Sequence, residues 1–273
     1  MARTKKIGIF DSGFGGIDIL RGIVHELPKY DYVYLGDTAR TPYGTRSPDV
    51  VYSFVTQAVD FLFSKQCELI IFACNTASSD ALRRIQQEYI PKLHRNKKVL
   101  GVLIPAAETA IENSKTGRIG VIATEGTVNS GAFPRELKKL NPSCSIFQQA
   151  CPLFVPIVEE GEEHSPATKL IIKRYLNSIR KKKIDTLILG CTHYGILEKS
   201  IRNAIGPGVH IVSEARIVPK KLAHYLKRHP EIERVLSRKG SVKFFSTDLT
   251  DRFTRLGSRF FGKTIKAQKA ILN

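Results

Sequence analysis

Short, nearly all-apolar runs alternate along the chain with longer stretches in which apolar side chains recur every three or four positions. The strand-like runs are Lys6–Asp11, Tyr32–Leu35, Leu69–Ala73, Val99–Val102, Arg118–Ala123, Thr186–Leu189, Val209–Val212 and Val242–Ser246. Helical periodicity covers Pro48–Lys65, Ala77–Leu93, Val128–Leu140, Pro166–Lys182, Leu197–Ile205 and Lys220–His229. Strands that alternate with helices of this length predict right-handed βαβ units and parallel sheets. Continuous apolar strands are those with helices on both faces. The fold class read from the pattern is α/β.

The pattern also repeats. Lys6-Ile7-Gly8-Ile9-Phe10-Asp11-Ser12 lines up with Arg118-Ile119-Gly120-Val121-Ile122-Ala123-Thr124, an offset of 112 residues. Leu69-Ile70-Ile71-Phe72-Ala73-Cys74-Asn75-Thr76 lines up with Thr186-Leu187-Ile188-Leu189-Gly190-Cys191-Thr192-His193, an offset of 117. Two related α/β halves with pseudo-two-fold symmetry follow, each with a loop after its first strand and a cysteine after a later one. Ligands of open α/β sheets gather at the carboxyl ends of strands. Facing halves would put one cysteine on each side of a shared cleft.

Composition adds limits. At 273 residues the chain can bury one large or two ordinary cores, with 42% hydrophobic and 25% charged residues. No apolar run approaches the roughly 20 residues that span a bilayer. Met1–Lys6 leads straight into a strand-like run, leaving no room for a signal peptide, so a cytoplasmic location is expected. Five cysteines, an odd count with no CxxC and no zinc-ligand spacing, predict reduced thiols and no metal. The net charge of +18 is concentrated late: residues 214–273 hold 15 Lys/Arg against 5 Asp/Glu. Such a surface attracts polyanions weakly and in a salt-dependent way, although no nucleic-acid-binding motif accompanies it.

Chemistry centres on Cys74 and Cys191. A lone buried cysteine is most simply a small hydrophobe, which suffices for Cys67, Cys144 and Cys151. The matched pair is different, because each follows a buried-strand pattern and opens a helix. Free N–H groups there favour a thiolate and are expected to bring the thiol from about 8.5 down toward working pH. Two such thiols suit a cofactor-free enzyme that moves a proton on and off carbon.

Asp11-Ser12-Gly13-Phe14-Gly15-Gly16 fits neither GxGxxG nor GxxxxGK[ST], so a nucleotide-phosphate loop is disfavoured. Asp11 is placed to orient an ammonium group or tune a thiol. Pro42-Tyr43-Gly44 reads as a loop over a ligand or an ordinary turn. Asn75, Thr76 and Thr192 offer donors to a carboxylate, while His193 either shares a proton with the site or caps a helix.

Taken together, Asp11-Ser12-Gly13, Pro42-Tyr43-Gly44, Ala73-Cys74-Asn75-Thr76-Ala77, Gly117–Ser130, Val155–Gly161 and Gly190-Cys191-Thr192-His193-Tyr194 resemble the glutamate racemases, in collinear order from residue 7 to about 197. The resemblance implies interconversion of L- and D-glutamate without pyridoxal phosphate or metal, supplying D-glutamate for peptidoglycan. It implies that Cys74 takes the α-proton of D-glutamate and Cys191 that of L-glutamate. Asp11, His193 and Glu159 would tune the thiols, and Ser12, Pro42, Tyr43, Gly44, Asn75, Thr76, Thr124 and Thr192 would hold the substrate. Three positions depart from the family pattern: Gly195 in place of Pro, Ala123 in place of Gly, and Val212-Ser213-Glu214-Ala215 without its usual Asp-Ser.

A racemase of aspartate or a hydantoin, or a related decarboxylase, is the alternative; a decarboxylase would need only one of the cysteines. A homodimer and weak nucleic-acid binding are the partner readings left open. Repeat offset and resemblance together divide the chain into residues 1–97 plus 211–273 and residues 98–210, with the cleft between them.

Overall fold

A computed structural model describes residues 4–273. Among the described residues ten strands form two all-parallel sheets. In chain order they are β1 Lys6–Asp11, β2 Tyr32–Gly36, β3 Cys67–Phe72, β4 Lys98–Gly101, β5 Arg118–Ala123, β6 Ser145–Ala150, β7 Thr186–Gly190, β8 His210–Ser213, β9 Val242–Ser246 and β10 Ala267–Lys269. The larger sheet has the order β10-β9-β2-β1-β3-β4, the smaller β6-β5-β7-β8. The arrangement β2-β1-β3-β4 is thus repeated as β6-β5-β7-β8, so the sequence repeat is a repeat of topology. The fold class is α/β, as the alternation predicts.

The eight predicted strands are present within a residue or two. Two more were invisible in the pattern. β6 is an edge strand carrying Gln148 and Gln149 and is only half-buried, so its apolar signal is weak. β10 is a three-residue edge strand, Ala-Gln-Lys.

Helices depart further. The single helix expected over Ala77–Leu93 is broken into Asn75–Asp80, Leu82–Arg84, a π-helical turn Ile85–Tyr89 and Ile90–Leu93. That expected over Val128–Leu140 is interrupted at Gly131, whose φ of +62° ends one helix and starts another. The helix expected from Lys220 begins at Glu214 and passes through Pro219. Helices Gly16–Glu26, Leu103–Asn113, Phe154–Glu160 and Asp251–Phe261 were not anticipated.

One core cluster takes side chains from both sheets, including Ile7, Ile9, Ile71, Ile122, Leu187 and Leu189, together with the Gly16–Glu26 and Glu214–Arg228 helices. Two smaller clusters cover the opposite faces of the two sheets. Shared apolar packing sets how the strand ends of one sheet meet those of the other. Among the described residues no helix is long and apolar enough to cross a membrane.

Candidate active site

Cys74 directly follows β3 and caps the Asn75–Asp80 helix, its Sγ accepting from the Ala77 N–H at 3.4 Å and lying 3.4 Å from Ser12 Oγ. Cys191 directly follows β7 and precedes a 3-10 turn, Thr192–Gly195. Its Sγ is 3.9 Å from His193 Nδ1. The same imidazole uses Nε2 toward Glu159 Oε1, at 3.1 Å. Glu159 belongs to the Phe154–Glu160 helix and is also approached by Arg252, 3.5 Å away.

Both thiols line one narrow cavity of about 40 Å³ with Ser12, Thr41, Pro42, Tyr43, Gly44, Asn75, Thr76, Thr124, Val155, Thr192 and His193. Asp11 and Glu159 stand behind this wall, Asp11 1% exposed. Every site residue singled out in the sequence is therefore in the lining or directly behind it, drawn from both sheets. Grooves of about 440 and 390 Å³ lie elsewhere, beside the Leu103–Asn113 and Glu214–Arg228 helices, and contain neither thiol. Size does not mark the reactive site here.

Burial reverses one expectation. Cys74 is pushed up to about 12, first by loss of solvent and then by the charge of Asp11; the Ser12 hydroxyl and Ala77 N–H only partly oppose this. Cys191 is raised well above the ordinary thiol range, again chiefly by burial, with the His193 N–H pulling the other way. Cys74 opens a helix as expected, whereas Cys191 opens only a 3-10 turn, and at both desolvation outweighs the free N–H groups. Asp11 is raised too, mainly by burial, with His193 lowering it. Its Oδ2 accepts the Gly13 N–H at 3.0 Å, while Oδ1 is buried with no hydrogen-bond partner among the described residues.

The glycine-rich loop serves close packing. A Cβ on Gly15 would lie 2.2 Å from Thr192 Oγ1 and 2.7 Å from His193 Nδ1, so only glycine lets this loop abut the Cys191 turn. The Pro42–Gly44 segment is held from beneath by Asp37, fully buried, which accepts from Tyr43 Oη, Arg40 Nε and Thr247 Oγ1.

The Asp/Glu/Hydantoin racemase family matches residues 7–218. A glutamate racemase from Geobacter metallireducens is 42% identical over 94% of this chain and 93% of its own. The chain belongs to the Asp/Glu/Hydantoin racemase family. It falls among the glutamate racemases and is an amino-acid racemase. The glutamate racemase RacE1 of Bacillus anthracis superposes with a TM-score of 0.91 at 34% identity, covering 99% of this chain and 98% of that one. The enzyme from Francisella tularensis, solved with D-glutamate, superposes at 0.88 with 31% identity, covering 98% of each chain.

Several residues in or behind this lining escaped the sequence reading. Thr41 was not among the hydroxyls singled out and Val155 figured only within a longer segment, so their place in the lining is what marks them. Thr127 joins Thr76 and Thr124 in a triangle of hydroxyls with separations of 3.0–3.3 Å, linking the first sheet's loops to the second's. Asp37 needed its contact with Thr247, 210 residues away, to be noticed. Of the departures, Gly195 lies where a Cβ would be 3.1 Å from Asp18 Oδ2, and Ala123 fills the space facing Gly190.

Proposed function

We propose that this racemase interconverts L- and D-glutamate by two-base proton transfer at Cα, needing no cofactor, with Cys191 the base toward L-glutamate and Cys74 toward D-glutamate. The observation that carries the reading is the pairing of two thiols, one from each sheet, on one cavity lined with amide and hydroxyl donors. A thiolate on one face removes the α-proton, the electron pair flows toward the α-carboxylate, and the thiol on the other face returns a proton. Asn75, Thr76, Thr124, Thr192, Ser12 and the Tyr43-Gly44 backbone supply donors for two carboxylates. Such fixed donors stabilise charge that grows on the α-carboxylate during the reaction.

Burial raises both thiols above the ordinary range, so on this reading ionisation follows substrate binding. The ammonium group brings a positive charge close to Asp11, whose Oδ1 is free to accept it. That charge lowers the thiols' affinity for protons. A cavity of about 40 Å³ has room for a few waters and is too tight for a dicarboxylic amino acid, so entry requires the cleft to open.

We divide the chain into two lobes around the two sheets, with seams beside β4 and β8. The segments 1–97 with 211–273 and 98–210 approximate these lobes; β4 itself pairs in the first sheet and β8 in the second. A cytoplasmic supply of D-glutamate for peptidoglycan is the accompanying inference from the family. The deciding experiment is incubation with each glutamate enantiomer in heavy water, following optical rotation and α-deuterium. Inversion with one deuterium per turnover is expected from both sides. Absence of exchange from either enantiomer would refute the assignment.

A further inference from the structure

Glu214 opens the Glu214–Arg228 helix directly after β8 and is 3% exposed. Its Oε2 accepts from Asn75 Nδ2 at 2.8 Å, across 139 residues of sequence. Asn75 lines the cavity beside Cys74 and begins the helix that Cys74 caps. The contact therefore ties the Cys74 helix, after a strand of the larger sheet, to the connection leaving the smaller one. Glu214 Oε1 and Asn75 Oδ1 are both buried, without hydrogen-bond partners among the described residues. A buried acid that uses only one of its oxygens adds little to stability, since the desolvated remainder opposes what the bond contributes.

We propose that Glu214 is a positioning residue for catalysis, its carboxyl fixing the orientation of the Asn75 amide that meets the substrate's carboxylate. This rests on the racemase reading of the cavity. An amide nitrogen carries two hydrogens. With one donated to Glu214, the other is aimed, and the amide cannot flip to offer its oxygen to an anionic substrate.

Surrounding charge favours a neutral carboxyl in this role. The titratable groups around this end of the helix are Asp11 from β1, Cys191 from the loop after β7, and Asp18, paired with Arg21, from the Gly16–Glu26 helix. Farther along, Lys221 is held by Glu108 and Glu112. Burial pushes Glu214 up to about 8, with Asp11 adding to the rise and the Asn75 bond opposing it. A charge on Glu214 would raise Cys191 further and repel the substrate's carboxylates. As pH climbs past about 8, Glu214 ionises and glutamate binding weakens.

The test compares Glu214→Ala, Glu214→Gln and Asn75→Ala in the full chain. Glu214→Ala is expected to raise KM for both enantiomers about tenfold, the loss of one oriented hydrogen bond, with a smaller change in kcat. Glu214→Gln, a neutral acceptor of the same shape, should recover most of that loss and abolish the rise in KM above about pH 8. In an Asn75→Ala background the Glu214→Ala effect should vanish. An unchanged KM in Glu214→Ala, equal damage from the alanine and glutamine variants, or additive effects with Asn75→Ala would overturn the proposal.

A readout independent of turnover covers failure of the alanine variant to fold or of the racemase reading itself. The side-chain amide resonance of Asn75 should titrate with Glu214 in the wild type and not in Glu214→Gln. An inert enzyme with that titration refutes the substrate assignment alone; an active enzyme without it refutes the positioning role.

Discussion

Cys74 and Cys191 hold matching places after β3 and β7, central strands of two sheets with the same order, yet their neighbours differ in kind. Cys74 is met by fixed neutral donors, the Ala77 N–H and the Ser12 hydroxyl. Cys191 is met by a titratable relay in which His193 stands between the thiol and Glu159. Repetition of the backbone therefore supplied two strand-end positions, and different loops supplied different neighbours to the thiol at each. On the proposed mechanism, chemistry on two faces of one carbon does not require two identical bases.

Removing either thiol is the largest break. Cys74→Ser and Cys191→Ser should each lower racemisation by roughly three orders of magnitude, since a hydroxyl is a far poorer base at neutral pH. Polarimetry with each enantiomer checks this, and substantial activity in either variant refutes two-base transfer. Because the enantiomers have equal free energy, kcat/KM must stay equal in the two directions for every variant. Any asymmetry between the halves must appear in kcat and KM separately.

The relay is tested next. His193→Asn should reduce kcat about a hundredfold and more strongly from L-glutamate, for which Cys191 is the proposed base. An equal fall in kcat from both enantiomers would remove the distinction between the halves. On the other side, Ser12→Ala deletes one donor to Cys74 and should cost about tenfold, weighted toward kcat from D-glutamate. A loss weighted toward L-glutamate would contradict the assignment of faces.

The smallest expected effect concerns stability. Cys74 is raised to about 12 in the folded chain, against about 8.5 for an unfolded thiol. Its contribution is complete below about pH 8.5, where both states hold the proton. It is then lost progressively as pH rises toward 12, because the unfolded chain releases its proton first. Thermal melts between pH 8 and 11 should therefore fall less steeply for Cys74→Ser than for the wild type. Parallel slopes would mean that the thiol is not held neutral by burial.

Legibility in the sequence followed where the information lies. β1, β5 and β9 match their predicted spans, because a doubly covered strand must be apolar along its length. β6 and β10 escaped, because edge strands keep polar residues on the solvent side. The Ala77–Leu93 stretch keeps helical periodicity through several breaks, which a periodic pattern does not register. Within the site, Asp11, Asn75 and His193 were conspicuous as polar residues at strand ends. Asp37 and Thr127 were not, since each meets a partner distant in sequence, and Glu214 stood out only as a departure from the family pattern.

By itself the sequence determined the α/β alternation, the doubled unit and the two strand-end cysteines, all of which are properties of short segments and their spacing. Tertiary structure alone decided how those segments meet. It placed Glu214 against Asn75, set Gly15 against Thr192, gave Cys191 a 3-10 turn in place of the expected helix, and buried both thiols so that desolvation overrode the N–H groups expected to activate them. Desolvation and close contact depend on what packs around a group from elsewhere in the chain, and no local pattern encodes that.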